Sequence, residues 1–441
     1  MNLSDLRHHA RQIWESALDA ANPEACIQRH LRVSDNAIHV AGKTLPLSGR
    51  LIVIGAGKAA SRMAQVVEEI LGERISDGLV VTKYGHGLPL RRIRQVEAGH
   101  PIPDEKGVAA VEEIRKLLRG LKPEDIVLSL LSGGGSALWP SPAEGIALAE
   151  KQEVTSVLLK AGASITELNA VRKHVSAIKG GQLASWASPA QLISLIMSDV
   201  IGDPLDFIAS GPTAPDTTSF GEASAIVRKY GVSVPSAVAD RLEAGTQGRI
   251  SDTPKPGDPV FRNVSNVIIA NNRLLVDAAS EKARALGFNT LILGTELEGE
   301  AREIARFFVA IAREVERTGN PITPPACILA AGETTVTVRG QGIGGRNQEM
   351  ALAWAIAMAT RPVSAACCFA SVATDGTDGP TDAAGGLVDA LTCRRGIDHG
   401  LNPSWYLQTN DSLNFLKATG DLIVTGPTQT NLMDLQILLV G

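Results

Sequence analysis

Two glycine-rich turns in this chain each carry a cation where a helix should begin. One turn reads GAGK and ends at Lys58, and the other reads GIGGR and ends at Arg346. A cation in the first turn of a helix is repelled by the helix dipole unless it holds an anion. We therefore expect both turns to face an anion. The alternatives are a packing turn at Lys58 and an ordinary salt bridge at Arg346, to Glu349 or to a carboxylate at a sheet end.

The lysine-bearing turn fits neither of two familiar nucleotide motifs. A dinucleotide-binding turn has a third glycine where Ala60 stands, and it has no need of a lysine inside the turn. A Walker A loop has Ser or Thr after the lysine, where this chain has Ala59. The turn therefore predicts an anion-binding loop of another kind.

A second glycine-rich segment, SGGGS at residues 132–136, follows an apolar run. Successive glycines allow backbone N–H groups to converge on an anion, which predicts a phosphate-binding loop, although a loop without chemical importance is an equal alternative. Neither Ser132 nor Ser136 stands in a G-x-S-x-G elbow, so hydrolase chemistry is disfavoured.

Residues 168–184, LNAVRKHVSAIKGGQLA, show a helical apolar period that leaves Arg172 and Lys179 together on another face. A basic face of this kind is often only solvated. As the functional alternative, we predict that Arg172 and Lys179 contribute to substrate binding.

Aspartates follow two predicted strands. Asp199 comes just after the run that ends at Met197, and Asp375 comes just after the run that ends near Ala373. Mg²⁺ bound to a phosphate is held by one or two carboxylates with water and substrate oxygens, so Asp199 and Asp375 are candidate metal ligands or proton acceptors. Aspartates at such positions also form turns and helix caps.

The elements that must position these residues are strands alternating with helices. Apolar runs occur at residues 51–54, 78–82, 125–135 and 192–200, with helix-like stretches between them. This alternation predicts a parallel sheet covered on both faces, and ligands bind in such sheets beyond the carboxyl ends of the strands. The predicted turns and loops all lie at such ends.

Glycine, proline and charge replace any apolar period at residues 241–263, which predicts a domain boundary. Beyond it, residues 328–338 contain two apolar segments too close together for a helical crossover, so we expect a mixed sheet. The predicted fold class is α/β with two domains. The first, at residues 1–250, is a Rossmann-like parallel α/β/α sheet, and the second, at residues 251–441, is a smaller α/β domain with a mixed sheet.

Composition excludes several classes of protein. The 441 residues carry 42 basic and 47 acidic side chains, a net charge of -5, without the long basic run that nucleic-acid binding requires. No apolar run approaches the roughly 20 residues of a membrane-spanning helix, and the first residues do not resemble a signal peptide. Five cysteines without a C-x-x-C pair favour a reducing compartment. We expect a cytoplasmic protein that binds neither nucleic acid nor membrane.

Seven segments together resemble one family, the glycerate 2-kinases with a leucine-rich carboxyl-terminal (MOFRL) module. In chain order they are VIGAGKAASRMA, GHPIPDEKG, LLSGGGSAL, LNAVRKHVSAIKGGQLA, SDVIGDPLDFIASGPTAPD, GGRNQEMALA and ATDGTDGPTDAAGG. The resemblance covers nearly the whole chain. It implies a two-domain α/β enzyme that transfers the γ-phosphate of ATP to the 2-hydroxyl of D-glycerate, with a divalent cation, here taken as Mg²⁺.

The resemblance also implies active-site roles for Lys58 and Arg346. Joined to the residue patterns above, it completes a set of predicted site residues. The catalytic residues are Lys58, Arg346, Asp199 and Asp375; the nucleotide-binding residues are Gly55, Gly57, Lys58, Ser132, Gly133, Gly134, Gly135 and Ser136; the substrate-binding residues are Arg172, Lys179 and Arg346; and the metal ligands are Asp199 and Asp375.

Two other functions stay open at this point. One is a nicotinamide-dependent reductase of hydroxypyruvate or tartronate semialdehyde, which Lys58 and the lack of an acidic residue near Thr82 disfavour. The other is a sugar-acid sensor without catalysis, which needs no carboxylates for a metal. The sequence leaves a homodimer open.

Overall fold

The computed structural model describes the whole chain, Met1–Gly441. Its internal contacts form two compact units. The N-terminal unit comprises Pro23–Ile269, and the C-terminal unit comprises Ala270–Gly441 together with Met1–Asn22. Two six-stranded sheets and one small three-stranded sheet carry the strands.

The strands are β1 (Leu31–Val33), β2 (Ala37–Val40), β3 (Lys43–Pro46), β4 (Leu51–Ala56), β5 (Asp77–Lys83), β6 (Arg94–Ala98), β7 (Ile126–Leu131), β8 (Gln191–Met197), β9 (Val264–Ala270), β10 (Asn289–Leu297), β11 (Ala326–Gly332), β12 (Cys367–Ala373), β13 (Gly385–Asp389), β14 (Leu422–Ile423) and β15 (Asp434–Val440). The helices are α1 (Leu3–Ala20), α2 (Pro23–His30), α3 (Ala60–Leu71), α4 (Glu105–Leu117), α5 (Gly135–Leu138), α6 (Leu148–Lys160), α7 (Ile165–His174), α8 (Gln182–Ala187), α9 (Phe220–Tyr230), α10 (Ser236–Thr246), α11 (Asn272–Ala285), α12 (Ala301–Thr318), α13 (Arg346–Thr360), α14 (Thr392–Asp398), α15 (Pro403–Gln408) and α16 (Ser412–Thr419). None of these helices has both the length and the apolar character needed to cross a bilayer.

The large sheet of the N-terminal unit has the strand order β6-β5-β4-β7-β8-β9, and the pairs from β6 through β8 are parallel. All residues of β4 and β7 are buried, as expected for strands covered on both faces. The four strands predicted in the first half of the chain are confirmed as β4, β5, β7 and β8. Because these strands are parallel, their carboxyl ends and the predicted loops lie at one edge of the sheet.

The large sheet of the C-terminal unit has the order β10-β11-β15-β12-β13-β14 and is mixed, as predicted. The reason offered by the sequence is wrong, because residues 333–338 form no strand beside β11. The mixed direction comes from β15, the last strand of the chain, which inserts between β11 and β12 and runs antiparallel to both. β10 pairs with β11 in parallel.

The compact units differ from the predicted domains in two respects. Helix α1 belongs to the C-terminal unit, where Arg7 forms ion pairs of 2.6 and 2.9 Å with the buried Asp389 and Asp421. The N-terminal unit extends past residue 250 because β9 forms an edge strand of its large sheet. Just before β9, the carbonyl of Asn263 accepts a hydrogen bond of 2.9 Å from the backbone N–H of Leu192. Residues 241–263 are therefore a connection inside this unit.

Candidate active site

The loops after β4 and β7 lie against each other at the edge of the N-terminal sheet. The backbone N–H of Lys58 donates to the carbonyl of Gly133 at 2.8 Å, and the N–H of Ala59 donates to the Ser132 Oγ at 3.0 Å. β4 and β7 are parallel neighbours, so their ends meet and bring these loops together. The two glycine-rich segments predicted to hold an anion thus form one surface.

Two glycines in these loops have a clear steric reason. A β-carbon on Gly57 would stand 2.0 Å from the Ser132 Oγ, so the loops approach this closely only with glycine there. Gly134 has φ +87°, a left-handed conformation, and a β-carbon on it would stand 2.9 Å from Cδ2 of His100. Larger residues at either position would separate the loops.

His100 is a residue of this edge that the sequence analysis did not select. It follows β6 by two residues, and its ring lies beside Gly134, as does the side chain of Lys58. Burial lowers the pKa of its imidazole to about 4, and the charges of Lys58, Lys83 and His86 act in the same direction. His100 is therefore neutral at physiological pH. The sequence feature that could have pointed to His100 is its position in the segment GHPIPDEKG, just after a strand.

Ser136 begins a chain of hydrogen bonds beneath the glycine loop. Its hydroxyl lies 2.9 Å from the Ser210 hydroxyl, which donates to the Asn169 side-chain oxygen at 3.1 Å. Ala209 and Ser210 both have positive φ, 51° and 61°, a strain that non-glycine residues carry mainly at functional sites. Ser210 and Asn169 are further members of the site that sequence reasoning missed.

Lys179 joins this series of hydrogen bonds through Ser136. Its Nζ donates to the carbonyl of Ser136 at 2.7 Å and to the Ser136 hydroxyl at 3.1 Å. The prediction of a single helix through Arg172 and Lys179 is wrong, because α7 ends at His174 and Gly180 and Gly181 are left-handed. Burial lowers the pKa of Lys179 well below its usual value, and the charge of Arg172 acts in the same direction.

Arg172 is the basic side chain near these loops that the rest of the protein engages least. Its guanidinium is partly buried, forms no hydrogen bond and has no carboxylate within 4 Å. Burial lowers its pKa, and no acidic group offsets that effect. A buried cation without a counter-charge is costly, so an arginine in this state indicates a ligand that supplies the negative charge.

Lys151 adds a further buried cation that the sequence gave no reason to select. Its Nζ donates to the carbonyl oxygens of Pro140 and Ser141. Burial lowers its pKa to about 7, and the charges of Arg172 and Arg241 act in the same direction. By contrast, Lys173 on the same helix as Arg172 is neutralised by Asp206 at 2.9 Å and Asp216 at 3.2 Å. The positive charge around Ser136 is therefore a local feature.

The aspartates after β8 have different surroundings. Asp199 lies directly beyond the strand and is partly exposed, whereas Asp206 is committed to Lys173. In the C-terminal unit, Asp375 lies on a turn and accepts a hydrogen bond from the backbone N–H of Thr377 at 3.0 Å. The chain contains no group of three or more His, Cys, Asp and Glu side chains placed to hold a metal ion.

Arg346 begins α13 in the C-terminal unit, as predicted. Its Nε and Nη2 donate to the two oxygens of Asp434 at 2.6 and 2.8 Å, and its Nη1 lies 2.9 Å from Glu333. Asp434 opens β15 and pairs in register with Gly332 at the end of β11, so the arginine meets carboxylates at a sheet end. These ion pairs raise the pKa of Arg346, although burial opposes them.

Asp378 caps the same helix. Its carboxylate accepts hydrogen bonds from the backbone N–H groups of Asn347 at 3.1 Å and Gln348 at 2.8 Å. Burial raises its pKa against these hydrogen bonds. The negative carboxylate stabilises the positive end of α13, which offsets the repulsion that Arg346 would otherwise meet there. Sequence reasoning did not assign this role to Asp378.

The fold is that of a two-unit α/β protein with two glycine-rich loops joined at one edge of its parallel sheet. Residues 9–243 match a family described as "Domain of unknown function (DUF4147)", and residues 326–434 match the MOFRL family. A D-glycerate 2-kinase from Thermotoga maritima is 45% identical over 99% of this chain and 98% of that protein. This chain belongs to the glycerate kinase family with a MOFRL module, and the resemblance seen in its motifs is confirmed.

The fold comparison agrees with this assignment. A crystal structure of a glycerate kinase from Thermotoga maritima superimposes with a TM-score of 0.89 at 41% identity, over 99% of this chain and 100% of that one. A relative from Agrobacterium vitis is 41% identical over 99% of this chain and 94% of its own length, and it is named provisionally as a hydroxypyruvate reductase.

Proposed function

We propose that this protein is a D-glycerate 2-kinase, which transfers the γ-phosphoryl group of ATP to the 2-hydroxyl of D-glycerate and forms 2-phosphoglycerate and ADP. The observation that carries the proposal is a group of basic side chains around the glycine loops, the buried Lys151 and Lys179 and the partly buried Arg172, for which the protein supplies no contacting carboxylate. Phosphoryl transfer depends on positioning and charge neutralisation, and this group offers both.

The nucleotide is held at the joined loops. The residues proposed to bind its phosphates are Gly55, Gly57, Lys58, Ser132, Gly133, Gly134, Gly135 and Ser136. Lys58 stands just before α3, where a cation is unfavourable unless it faces an anion. A fixed ammonium group beside the transferred phosphoryl acts mainly in the transition state.

The substrate carboxylate is assigned to Arg172 and Lys179. Arg172 has an unused guanidinium, and a guanidinium binds a carboxylate through two parallel hydrogen bonds. Lys179 keeps the Ser136 end of the loop in place, and a bound anion would favour its charged form against the burial that lowers its pKa. A small hydroxy acid is the ligand class that such a compact cationic group fits.

Arg346 is proposed to act on the same reaction, either on the migrating phosphoryl group or on the glycerate carboxylate. Asp434 holds two of its nitrogens, which fixes the plane of the guanidinium. Glu333, the partner of the third nitrogen, is about half exposed, so an anionic substrate can replace it.

Mg²⁺ is the proposed metal. Asp199 or Asp375 would hold it, because each carboxylate is partly exposed at a strand end and hard oxygen donors suit this ion. The absence of a larger cluster agrees with a cation bound through one or two carboxylates together with substrate oxygens. When bound, the ion neutralises phosphate charge.

A nicotinamide-dependent reductase is the competing function, and two relatives from Agrobacterium vitis are named provisionally as hydroxypyruvate reductases. The geometry at the carboxyl end of β5 argues against a reductase. Thr82 at the end of β5 is buried and donates to the carbonyl of Gly57 at 3.1 Å, and Lys83 follows, so no acidic side chain stands where a ribose hydroxyl would be bound.

A coupled assay separates these functions. With ATP, Mg²⁺ and D-glycerate we expect release of ADP, and with NADH and hydroxypyruvate we expect no oxidation of NADH. ADP release also excludes a sensor without catalysis. The five cysteines are buried and form no disulfide, which supports a reducing, cytoplasmic setting for the reaction.

A further inference from the structure

His100 lies beside the loop that is proposed to hold the phosphates. A β-carbon on Gly134 would lie 2.9 Å from Cδ2 and 3.0 Å from Nε2 of His100, and 3.6 Å from Cγ of Lys58. The imidazole edge that carries Nε2 therefore faces this glycine, and the stem of Lys58 passes the same glycine. A ligand on the loop would meet both side chains.

The ring nitrogens of His100 have no partner within the protein. Neither nitrogen forms a hydrogen bond or an ion pair. His174 in the same unit is different, because its Nδ1 bonds the carbonyl of Ala170 at 2.6 Å and its Nε2 bonds Asp252 at 2.9 Å. His174 is a satisfied structural histidine, whereas His100 has both nitrogens available to a ligand.

The nearby carboxylate of Asp104 is already engaged. It accepts hydrogen bonds from the Tyr84 hydroxyl at 2.7 Å and from the backbone N–H of Gly107 at 3.1 Å. His100 is thus a basic group at this edge that is not committed to the protein.

We propose that His100 is the catalytic residue that accepts the proton of the glycerate 2-hydroxyl, an inference that rests on the proposed kinase function. As the hydroxyl oxygen forms its bond to the γ-phosphorus, the bond from that phosphorus to the bridging oxygen breaks, and its electron pair stays on the β-phosphate of ADP. The hydroxyl proton passes to Nε2, in the tautomer with hydrogen on Nδ1. Water removes this proton after product release.

The charges around His100 suit this role. The groups that act on the imidazole are Lys58 from the loop after β4, Lys83 from the end of β5 and His86 from the turn that follows, and together with burial they lower its pKa to about 4. The free enzyme therefore keeps the lone pair of the base unprotonated. Bound phosphates offset the field of the lysines, so the proton affinity of His100 rises when the substrate arrives.

Kinetics of His100→Gln test the proposal. Glutamine can still form hydrogen bonds but is not basic, so we expect kcat to fall roughly 100-fold, the lower range for general-base catalysis, with the affinity for ATP little changed. The control is His399→Gln, which replaces an exposed histidine in the C-terminal unit and should keep the wild-type rate. Circular dichroism and thermal melting establish that each variant is folded.

A titration on the wild-type protein does not depend on any variant's activity. Histidine ring nitrogens labelled with ¹⁵N are followed by NMR over pH, and the His100 signal is identified by its loss in His100→Gln and in His100→Asn. We expect the His100 pKa to lie near 4 in the free protein and to rise above ~5 with ADP, Mg²⁺ and D-glycerate bound.

Either of two results overturns the inference: a folded His100→Gln variant with wild-type kcat, or a His100 pKa that the ligands leave unchanged. A wild-type protein that forms no 2-phosphoglycerate is a different outcome, because it contradicts the kinase function on which the inference rests.

Discussion

Arg346 and Asp434 are joined by two parallel hydrogen bonds, from Nε at 2.6 Å and from Nη2 at 2.8 Å, although 88 positions separate them in the chain. Asp434 is fully buried at the start of β15, while the guanidinium is partly exposed. A rigid sheet end therefore orients a guanidinium that keeps one edge toward the surface. This arrangement orients a cation more precisely than a lysine could, since an ammonium lacks the planar fork.

We expect Arg346→Lys to lower kcat/KM for glycerate by roughly 30- to 1000-fold, because an ammonium cannot keep the two-pronged hydrogen bonds to Asp434 that orient the cation, and loss of such a charged pair costs on the order of 2–4 kcal/mol. ATP affinity should change little. The control is Arg394→Lys, at an exposed arginine paired with Asp398 on α14. Near-normal glycerate kinetics in Arg346→Lys would show that the arginine is structural.

The pH dependence of this pair is a second prediction. Burial raises the pKa of Asp434 to about 6, against the hydrogen bond and charge of Arg346. Protonation below that pH weakens the hold on the guanidinium, so kcat/KM should fall as the pH drops from about 7 to about 5. The variant Asp434→Asn should have a low kcat/KM without this acidic decline.

Stability should follow a different course over the same range. The pKa of Asp434 is higher in the folded chain than the value of about 3.9 in an unfolded chain, so protonation of this group favours the folded state. Its stabilising contribution is fully present below about pH 4 and is lost as the pH rises through 6. We therefore expect activity to decline while circular dichroism stays native. Simultaneous loss of both signals would contradict this account.

Gly134→Ala and Gly145→Ala form a matched pair. Both glycines are left-handed, at φ +87° and +82°, so alanine should cost each about 1–2 kcal/mol of unfolding free energy. A β-carbon on Gly145 meets nothing within 4 Å, whereas one on Gly134 meets His100 at 2.9 Å. We expect Gly145→Ala to keep its activity and Gly134→Ala to lose at least ~10-fold, because it displaces the loop. Equal activity in the two variants would show that the loop around Gly134 takes no part in the site.

Lys58→Met should lower kcat by ~100-fold or more with the fold intact, because a fixed charge beside the transferred group acts mainly in the transition state. Lys160→Met, at an exposed lysine that ends α6, is the control and should behave as wild type. The comparison uses steady-state rates and thermal melting of both variants. A wild-type rate in Lys58→Met would leave the loop as a packing turn only.

Local patterns were sufficient to predict the N-terminal sheet. β4, β7 and β8 are apolar runs bounded by polar loops, and parallel pairing then places those loops at one edge whatever the order of the strands. The joined loops of Lys58 and Ser132 follow from that rule. His100 was missed because a histidine after a short edge strand, β6, has no distinctive spacing.

Contacts between distant segments could not be predicted in this way. The partner of Arg346 is Asp434 because β15 returns between β11 and β12, and no local pattern specifies that return. The same limit explains α1, whose buried apolar face and ion pair from Arg7 to Asp389 are contacts with sequence-distant parts of the C-terminal unit. The helix expected across residues 168–184 is not formed as one element, because α7 ends at His174 and the left-handed Gly180 and Gly181 precede a separate helix, α8.

The most direct test of the proposed function is ³¹P NMR of the product formed from ATP, Mg²⁺ and D-glycerate. The proposed function predicts stoichiometric ADP and a phosphate ester on carbon 2, with no 3-phosphoglycerate. A phosphate on carbon 3, or no new ester while NADH is consumed with hydroxypyruvate, would contradict it.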